Sequence, residues 1–441
     1  MMTDRSEGKL DVWIGHRASD AAIVSAASDR VLSVSCFGSA WPDRHHSVEQ
    51  TWENALSVRE RWTSLDQHYA SRMFENLAHG GLGTVFAFRS EPTLGRIFRV
   101  TGLDACVLPE KAFRMFSRKS FLLRFSDGTG ALTPDGCIVD VRATSYSELR
   151  RRLGMPFVLK TEDTVSGAGV YLVDSATGWV KVAQIHQRTL LTAWRLVDGV
   201  SLNFHFCVSG DDKVRLFEPS VQLLTPVSGL RLFTFGGSSF DVRDRCSTAA
   251  LAQASAVATE FTGAIAALGY RGVGGIDVVA SAERAWVVDL NPRFQGSSAA
   301  LALDLRYQDV ELADFQRAAF GLLDPAACAL PAQTHSTAVV GGQLILSFDG
   351  RLPGRAKQRV KAGVYDMTSG QPVHARSFDG RFPLESGQIL MLDPVPAGFT
   401  LAPGAPLARI LYPKGSVLGT SSDRVSDLGK LVTALFDIQY S

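Results

Sequence analysis

Cysteine is scarce and scattered. The six, at positions 36, 106, 137, 207, 246 and 328, form no Cys-x-x-Cys pair. That argues against structural zinc and against a disulfide framework, and it fits a reducing cytoplasm. Charge of one sign is missing too: 45 basic residues almost cancel 44 acidic ones. No bulk field therefore favours nucleic acid or an anionic membrane surface. No apolar run approaches the ~20 residues that span a bilayer, and the polar start, Met1 to Lys9, lacks the apolar stretch of a signal peptide. Gly15 opens no Gly-x-Gly-x-x-Gly fingerprint, and no Gly-Lys-Ser/Thr follows the glycines near 167, so neither a dinucleotide site nor a Walker A loop is supported. Internal repeats and low-complexity tracts are absent.

What is present describes an ordinary globular chain. At 441 residues, about three domains of roughly 150 residues each are expected. Hydrophobic residues at 46% against 20% charged supply ample core. The first stretch, 10 to about 112, alternates strand and helix signals: strands at 10–14, 31–37, 84–88, 97–100 and 106–109, and a long charged helix or two over 47–78. Such alternation suggests a small open α/β sheet. Adjacent His45 and His46 read as surface residues. Helices are expected over 110–123, where Phe113, Phe116, Phe121 and Leu122 make an apolar stripe, and over 248–268 and 299–305. The glycine-bearing stretch 222–241 reads as a loop, of a length that is usually functional. From about Gln333 short apolar runs punctuated by Gly and Pro indicate a β-rich end with one helix at 425–436.

The chain is organised around residues 274–296. Two apolar runs, Ile276–Ala280 and Ala285–Val288, flank the polar turn Ser281-Ala282-Glu283-Arg284 and predict a β-hairpin. Antiparallel pairing would set Asp277 beside Asp289. Asn291, two residues further along extended chain, would share their face. Two carboxylates and an amide are hard oxygen ligands suited to Mg²⁺ held jointly with nucleotide phosphates. Arg293 stands where it could neutralise an anionic transition state. A plain hairpin with solvent-facing acids is the structural alternative.

Other elements carry the same theme. Pro156-Phe157-Val158-Leu159-Lys160 reads as a buried strand ending in a lysine. The stretch through Ser166-Gly167-Ala168-Gly169 and into the next strand makes a hairpin with a flexible tip, whose main-chain N–H groups could close over phosphates. Ser201 to Phe206 alternates: Leu202, Phe204 and Phe206 would face a core, while Ser201, Asn203 and His205 share the other face. Within 222–241, Arg231 could grip a carboxylate. A helix starting at Gly296-Ser297-Ser298 beside Arg293 offers free N–H groups to an anion.

The run Asp277…Asp289-Leu-Asn291-Pro-Arg293-Phe-Gln295 resembles the metal-binding end of the ATP-grasp ligases, and its Asn-x-Arg-x-Gln portion the biotin carboxylase and carbamoyl-phosphate branch. The family usually has Glu where Asp289 stands, and the Val-Glu that follows the motif in biotin carboxylase is Gly296-Ser297 here. The resemblance covers roughly 110–325. It implies an ATP-grasp fold of mixed α/β and α+β class: an N-terminal α/β domain (1–112), a small subdomain with the Gly-rich loop (113–190), a large subdomain with the metal site (191–330) and a β-rich C-terminal domain (331–441). It implies Lys119 and Lys160 on the phosphates, Ser166, Gly167 and Gly169 covering them, and Trp194, Arg195 and Val197 along the adenine edge. The hinge glutamates common in the family are replaced by Trp194 and Ser201, leaving Asn203 for the ribose. Asp277, Asp289 and Asn291 would hold the metal, with Arg293 catalytic and Arg231, Gly236, Gln295 and Ser297 toward the acceptor. The implied cofactors are ATP and Mg²⁺, with Mn²⁺ as an alternative. The implied reaction joins a small carboxylic acid to an amine through an acyl phosphate, in the cytoplasm, with a homodimer left open. A carboxylase or phosphotransferase on the same fold and a non-catalytic ATP-binding protein are the rival readings.

Overall fold

The computed structural model describes residues 10–24, 31–37, 46–49, 82–90, 103–126, 131–162, 169–226, 233–328, 339–348, 352–378, 384–401, 404–416 and 422–440. Five parallel strands come first: β1 (Leu10–Arg17), β2 (Val31–Phe37), β3 (His46–Glu49), β4 (Leu82–Ala87) and β5 (Ala105–Cys106), in the order β3-β2-β1-β4-β5. The helix expected from Ser47 instead begins as strand β3, and its remainder, like the strand at 97–100, lies outside the described residues. Strand alternation decides what this sheet touches. Val12, Ile14, Val85 and Ala87 pack into one core with Leu344, Leu346 and Ile410 near the C-terminus. Trp13 and Phe86 face the other way, into a core with Phe294, Leu301 and Leu312.

Helix α1 (Glu110–Ser117) is shorter than the apolar stripe suggested. Arg118 adopts extended backbone (φ −68°, ψ 131°), and the chain restarts as a 3₁₀ turn, Lys119–Phe125. The small subdomain follows: β6 (Gly136–Asp140), α2 (Tyr146–Leu153), β7 (Phe157–Thr161), β8 (Val170–Val173), α3 (Ala176–Ile185) and β9 (Leu190–Arg195). Its four strands pair antiparallel in the order β6-β9-β7-β8. Ser145 and Ser175 cap the two helices by accepting from the N–H groups of Glu148 and Gly178.

The large subdomain contains β10 (Val200–Val208), β11 (Val214–Leu216), β12 (Ser220–Pro226), β13 (Phe233–Ser239), α4 (Thr248–Ala267), β14 (Gly272–Ala280), β15 (Ala285–Asn291), α5 (Ser298–Arg306) and α6 (Leu312–Ala319). Residues 220–226 and 233–239 are paired strands rather than the expected loop. The reason is visible at the glycines. A bulge leaves Gly236 out of register between the Leu223–Gly237 and Leu224–Phe235 pairs. Gly237 has φ +146°, and a Cβ there would lie 2.1 Å from the Gln343 carbonyl oxygen. Glycine serves close strand approach here, not loop freedom.

The C-terminal part adds β16 (Val340–Ser347), β17 (Gly354–Ala356), β18 (Gly363–Asp366), β19 (Val373–Arg376), β20 (Gln388–Leu392), β21 (Thr400–Leu401), β22 (Pro406–Pro413), α7 (Ser422–Ala434) and β23 (Ile438–Tyr440). Because β13 pairs with β16, a single sheet runs β15-β14-β10-β12-β13-β16-β22-β20-β18-β19, with β11 on β10. The expected division at 330/331 thus falls between strands of one sheet. Charge ties the N-terminal sheet to both neighbours. Arg409, 1% exposed, pairs with Asp20 at 2.7 Å, and Arg317 pairs with Asp11 at 2.5 Å. Among the described residues no helix is long and apolar enough to cross a membrane.

Candidate active site

The β14–β15 hairpin forms as its apolar runs predict, closed by Ser281, whose N–H donates to the Arg284 carbonyl at 2.8 Å. Its register sets Asp277 directly opposite Asp289, and Gly275 opposite Asn291. On the other side of β14, Asn203 of β10 pairs with Asp277. Side chains opposite one another share a face, so Asp289, Asp277 and Asn203 make one row across three strands. The reverse face of β10 is apolar as its alternation requires: Leu202, Phe204 and Phe206 lie in the core beneath α4.

Positive charge reaches the carboxylates from the small subdomain. Lys119 opens the 3₁₀ turn, is almost fully buried, and sets Nζ 2.5 Å from Asp289 Oδ1. Phe116, Phe121 and Leu122 around it are core residues that fix this approach. Lys160, at the end of β7, donates from Nζ to the Val288 carbonyl at 2.6 Å. Burial alone would raise the Asp289 carboxyl, but Lys119, Lys160 and Arg293 outweigh it and hold it below the ordinary range. At Asp277 the Asn203 and Gln222 hydrogen bonds and the Lys119 charge do not outweigh the opposing effects. Burial, then the Asp289 charge, pushes its carboxyl up to about 6. Burial pulls Lys160 down against the attraction of Asp289.

Arg293 lies at the meeting of three parts. It donates to the Phe294 carbonyl at 2.9 Å and to Asn291 Oδ1 at 3.1 Å. Its guanidinium stands 5.0 Å from the Phe88 ring, just beyond β4 of the N-terminal sheet. Burial first, then the neighbouring Arg89, lowers its pKa to about 10. Trp13, its ring tilted against Phe294 with centroids 5.6 Å apart, completes this junction.

A buried polar network underlies the row. Asn203 Nδ2 donates to Asp277 Oδ1 at 2.7 Å and also to Gln295 Oε1. Gln295 Nε2 donates to the Phe204 carbonyl at 3.2 Å, and its amide covers Gly275, where a Cβ would collide with it. Ser297 Oγ donates to Asn203 Oδ1 at 3.4 Å. Ser201 Oγ donates to Gln222 Oε1 at 2.6 Å.

The expected site residues divide clearly by place. Lys119, Lys160, Asp277, Asp289, Asn291, Arg293, Asn203, Gln295 and Ser297 are linked by the contacts above. Gly169 is buried at the start of β8, its carbonyl accepting from Thr161 N–H at 3.0 Å. Trp194 is buried in the core, its ring packed on Gly136, where a Cβ would lie 2.6 Å from it. Arg195 is half exposed and pairs with Asp135 at 2.6 Å, while Val197 lies half-buried between β9 and β10. Gly236 marks the β13 bulge. Ser166, Gly167 and Arg231 fall outside the described residues. Sequence reasoning missed Phe88 and Arg89, which belong to no motif and arrive by tertiary packing. It also missed Glu162, which accepts from Ser120 N–H and Oγ at 3.2 Å beside Lys119. A carboxylate two residues after a phosphate-directed lysine was the only available signal.

The class follows from this assembly and from comparison. Residues 124–297 match the ATP-grasp domain family, and the chain has the ATP-grasp fold. Curated protein sequences yield no match. Among solved structures, carboxyaminoimidazole ribonucleotide synthase from Aspergillus clavatus, complexed with ATP, is 13% identical. The match covers 96% of this chain and 99% of that one, with TM-score 0.58. The L-amino acid ligase of Bacillus licheniformis is 14% identical over 99% of this chain and 100% of that one, TM-score 0.58. The biotin carboxylase domain of Hydrogenobacter thermophilus 2-oxoglutarate carboxylase is 11% identical over 99% and 91%, TM-score 0.61. At such identities the likeness is one of fold.

Proposed function

We propose that the protein is an ATP-dependent carboxylate–amine ligase that activates a small carboxylic acid as an acyl phosphate, releases ADP and forms an amide. The observation that carries this reading is the cross-strand Asp277–Asp289 pair, met from the small subdomain by Lys119 and Lys160. Two partly buried carboxylates side by side favour a shared cation, in keeping with the raised Asp277 carboxyl. Asn291 Oδ1, held by Arg293, supplies a third hard oxygen nearby. These residues fit Mg²⁺, which when bound would share the phosphate oxygens and draw off their charge.

Each remaining step belongs to the chain's own groups. Lys160 and Lys119 would supply the positive charge that nucleotide phosphates need at the subdomain junction. A carboxylate oxygen of the substrate attacks the γ-phosphorus and ADP leaves. The amine then attacks the acyl carbon, and phosphate departs carrying that oxygen. Arg293, partly buried beside the pair, stabilises the anionic transition states, and the scaffold acts mainly by positioning. The fold shared with an L-amino acid ligase supports amino acids or similar acids as substrates. The reading is tested by incubating the protein with Mg²⁺, ATP, pooled amino and carboxylic acids, and hydroxylamine as a trap. ADP together with a hydroxamate is expected. ADP without hydroxamate would point to a phosphotransferase, and absence of turnover with tight ATP binding to a non-catalytic protein.

A further inference from the structure

His205 is fully buried on β10, two residues beyond Asn203 and on the same face. Its Nε2 lies 3.1 Å from Ser298 Oγ and 3.4 Å from Ser297 Oγ. Ser298 Oγ already accepts the Gln295 N–H at 2.8 Å. The single Ser297 hydroxyl proton points to Asn203 Oδ1. Ser298 Oγ keeps its own hydroxyl proton and a lone pair, so it can serve the ring in either tautomer, while Nδ1 has no partner among the described residues. Desolvation holds the ring neutral, its pKa lowered to about 3.

From His205 the contacts run in one direction. The imidazole fixes Ser297 and Ser298 at the first turn of α5. Ser297 and Gln295 grip opposite ends of the Asn203 amide, and that grip decides which way Asn203 Nδ2 points. Asn203 Nδ2 reaches Asp277 Oδ1 at 2.7 Å. Asn203, His205, Gln295, Ser297 and Ser298 are each no more than 5% exposed, so no water can take over a contact that is lost.

We propose that His205 is a positioning residue that, through Ser297, Ser298 and Asn203, orients the Asp277 carboxylate for its divalent cation. The proposal deepens the ligase reading and rests on it, because the cation is what that reading assigns to Asp277. Removal of partners behind a metal ligand typically lowers metal affinity about 10- to 100-fold.

The test uses the full chain as wild type, His205→Leu and His205→Gln. Leu fills the space without a polar atom, while Gln can return a polar group near the Nε2 position. Three quantities are read: Mn²⁺ affinity in the presence of ATP by electron paramagnetic resonance, Tm, and amide hydrogen exchange over residues 295–300. Expected for His205→Leu are a loss of about 10- to 100-fold in Mn²⁺ affinity, faster exchange confined to that turn and a Tm within a few degrees of wild type. His205→Gln should recover most of the affinity. Unchanged Mn²⁺ affinity or unchanged exchange in His205→Leu overturns the proposal, as does an equal loss in both variants. If wild type itself binds no Mn²⁺ with ATP, the metal assignment falls along with this proposal. Exchange would then still report whether His205 holds the α5 turn, so the two failures are told apart.

Discussion

Asp277→Asn should stabilise the metal-free protein while abolishing its chemistry. In the folded chain the Asp277 carboxyl is pushed from 3.8 up to about 6, first by burial and then by Asp289 across the ladder. At about 1.36 kcal/mol per pH unit, the ionised form is disfavoured by about 3 kcal/mol. Water that still reaches part of the group reduces this to about 2 kcal/mol. The sign follows from proton counting: between about pH 4 and 6 the native state binds more protons than the unfolded chain. Stability therefore falls as pH rises through that window and levels off above it. Asparagine keeps an oxygen for the Asn203 Nδ2 donor and removes the charge. In EDTA at pH 8, Asp277→Asn should melt a few degrees above wild type, and at pH 5, midway through that window, the gap should shrink to about half. A gap that is absent at pH 8, or equal at both pH values, would refute the reasoning. With Mg²⁺ and ATP present the order should reverse, since only wild type gains from the ligands.

Three further outcomes follow from the same contacts. Lys119→Met removes the ammonium 2.5 Å from Asp289; ATP turnover should drop by about 10²-fold or more, measured at saturating Mg²⁺. Gly275→Ala drives a methyl into the Gln295 amide, which breaks its bonds to Asn203 and Phe204. The variant should fold, with Tm lowered only modestly, yet lose most activity. Arg409→Met leaves Asp20 without its buried partner and Asp393 without the neighbouring charge that opposes its burial. A loss of about 3–5 kcal/mol is expected in urea unfolding, with activity per folded molecule unchanged.

The parts of the fold legible in the sequence are those where one physical pattern dominates. The β10 alternation separated Leu202, Phe204 and Phe206 from Asn203 and His205, and the structure keeps that division. The 276–288 hairpin was readable because two apolar runs met at a polar turn. Where glycine served packing instead of turning, the pattern misled. Gly236 and Gly237 suggested a loop, yet they let β13 approach β16 closely enough to join two parts of the chain into one sheet. The helix break at Arg118 was hidden because the apolar stripe continues through it: Phe121 and Leu122 are buried from a 3₁₀ turn as well as they would be from a helix. Phe88 and Arg89 could not be placed beforehand, since only the packing of the N-terminal sheet brings them to Arg293.

Acyl-phosphate chemistry transfers one carboxylate oxygen of the substrate to phosphate. Once the hydroxylamine trap has named the acid, that acid is supplied with ¹⁸O in its carboxylate, with amine, ATP and Mg²⁺, and the released phosphate is read by mass. ADP and phosphate carrying one ¹⁸O per turnover are expected. Unlabelled phosphate, or AMP bearing the label, would contradict that chemistry.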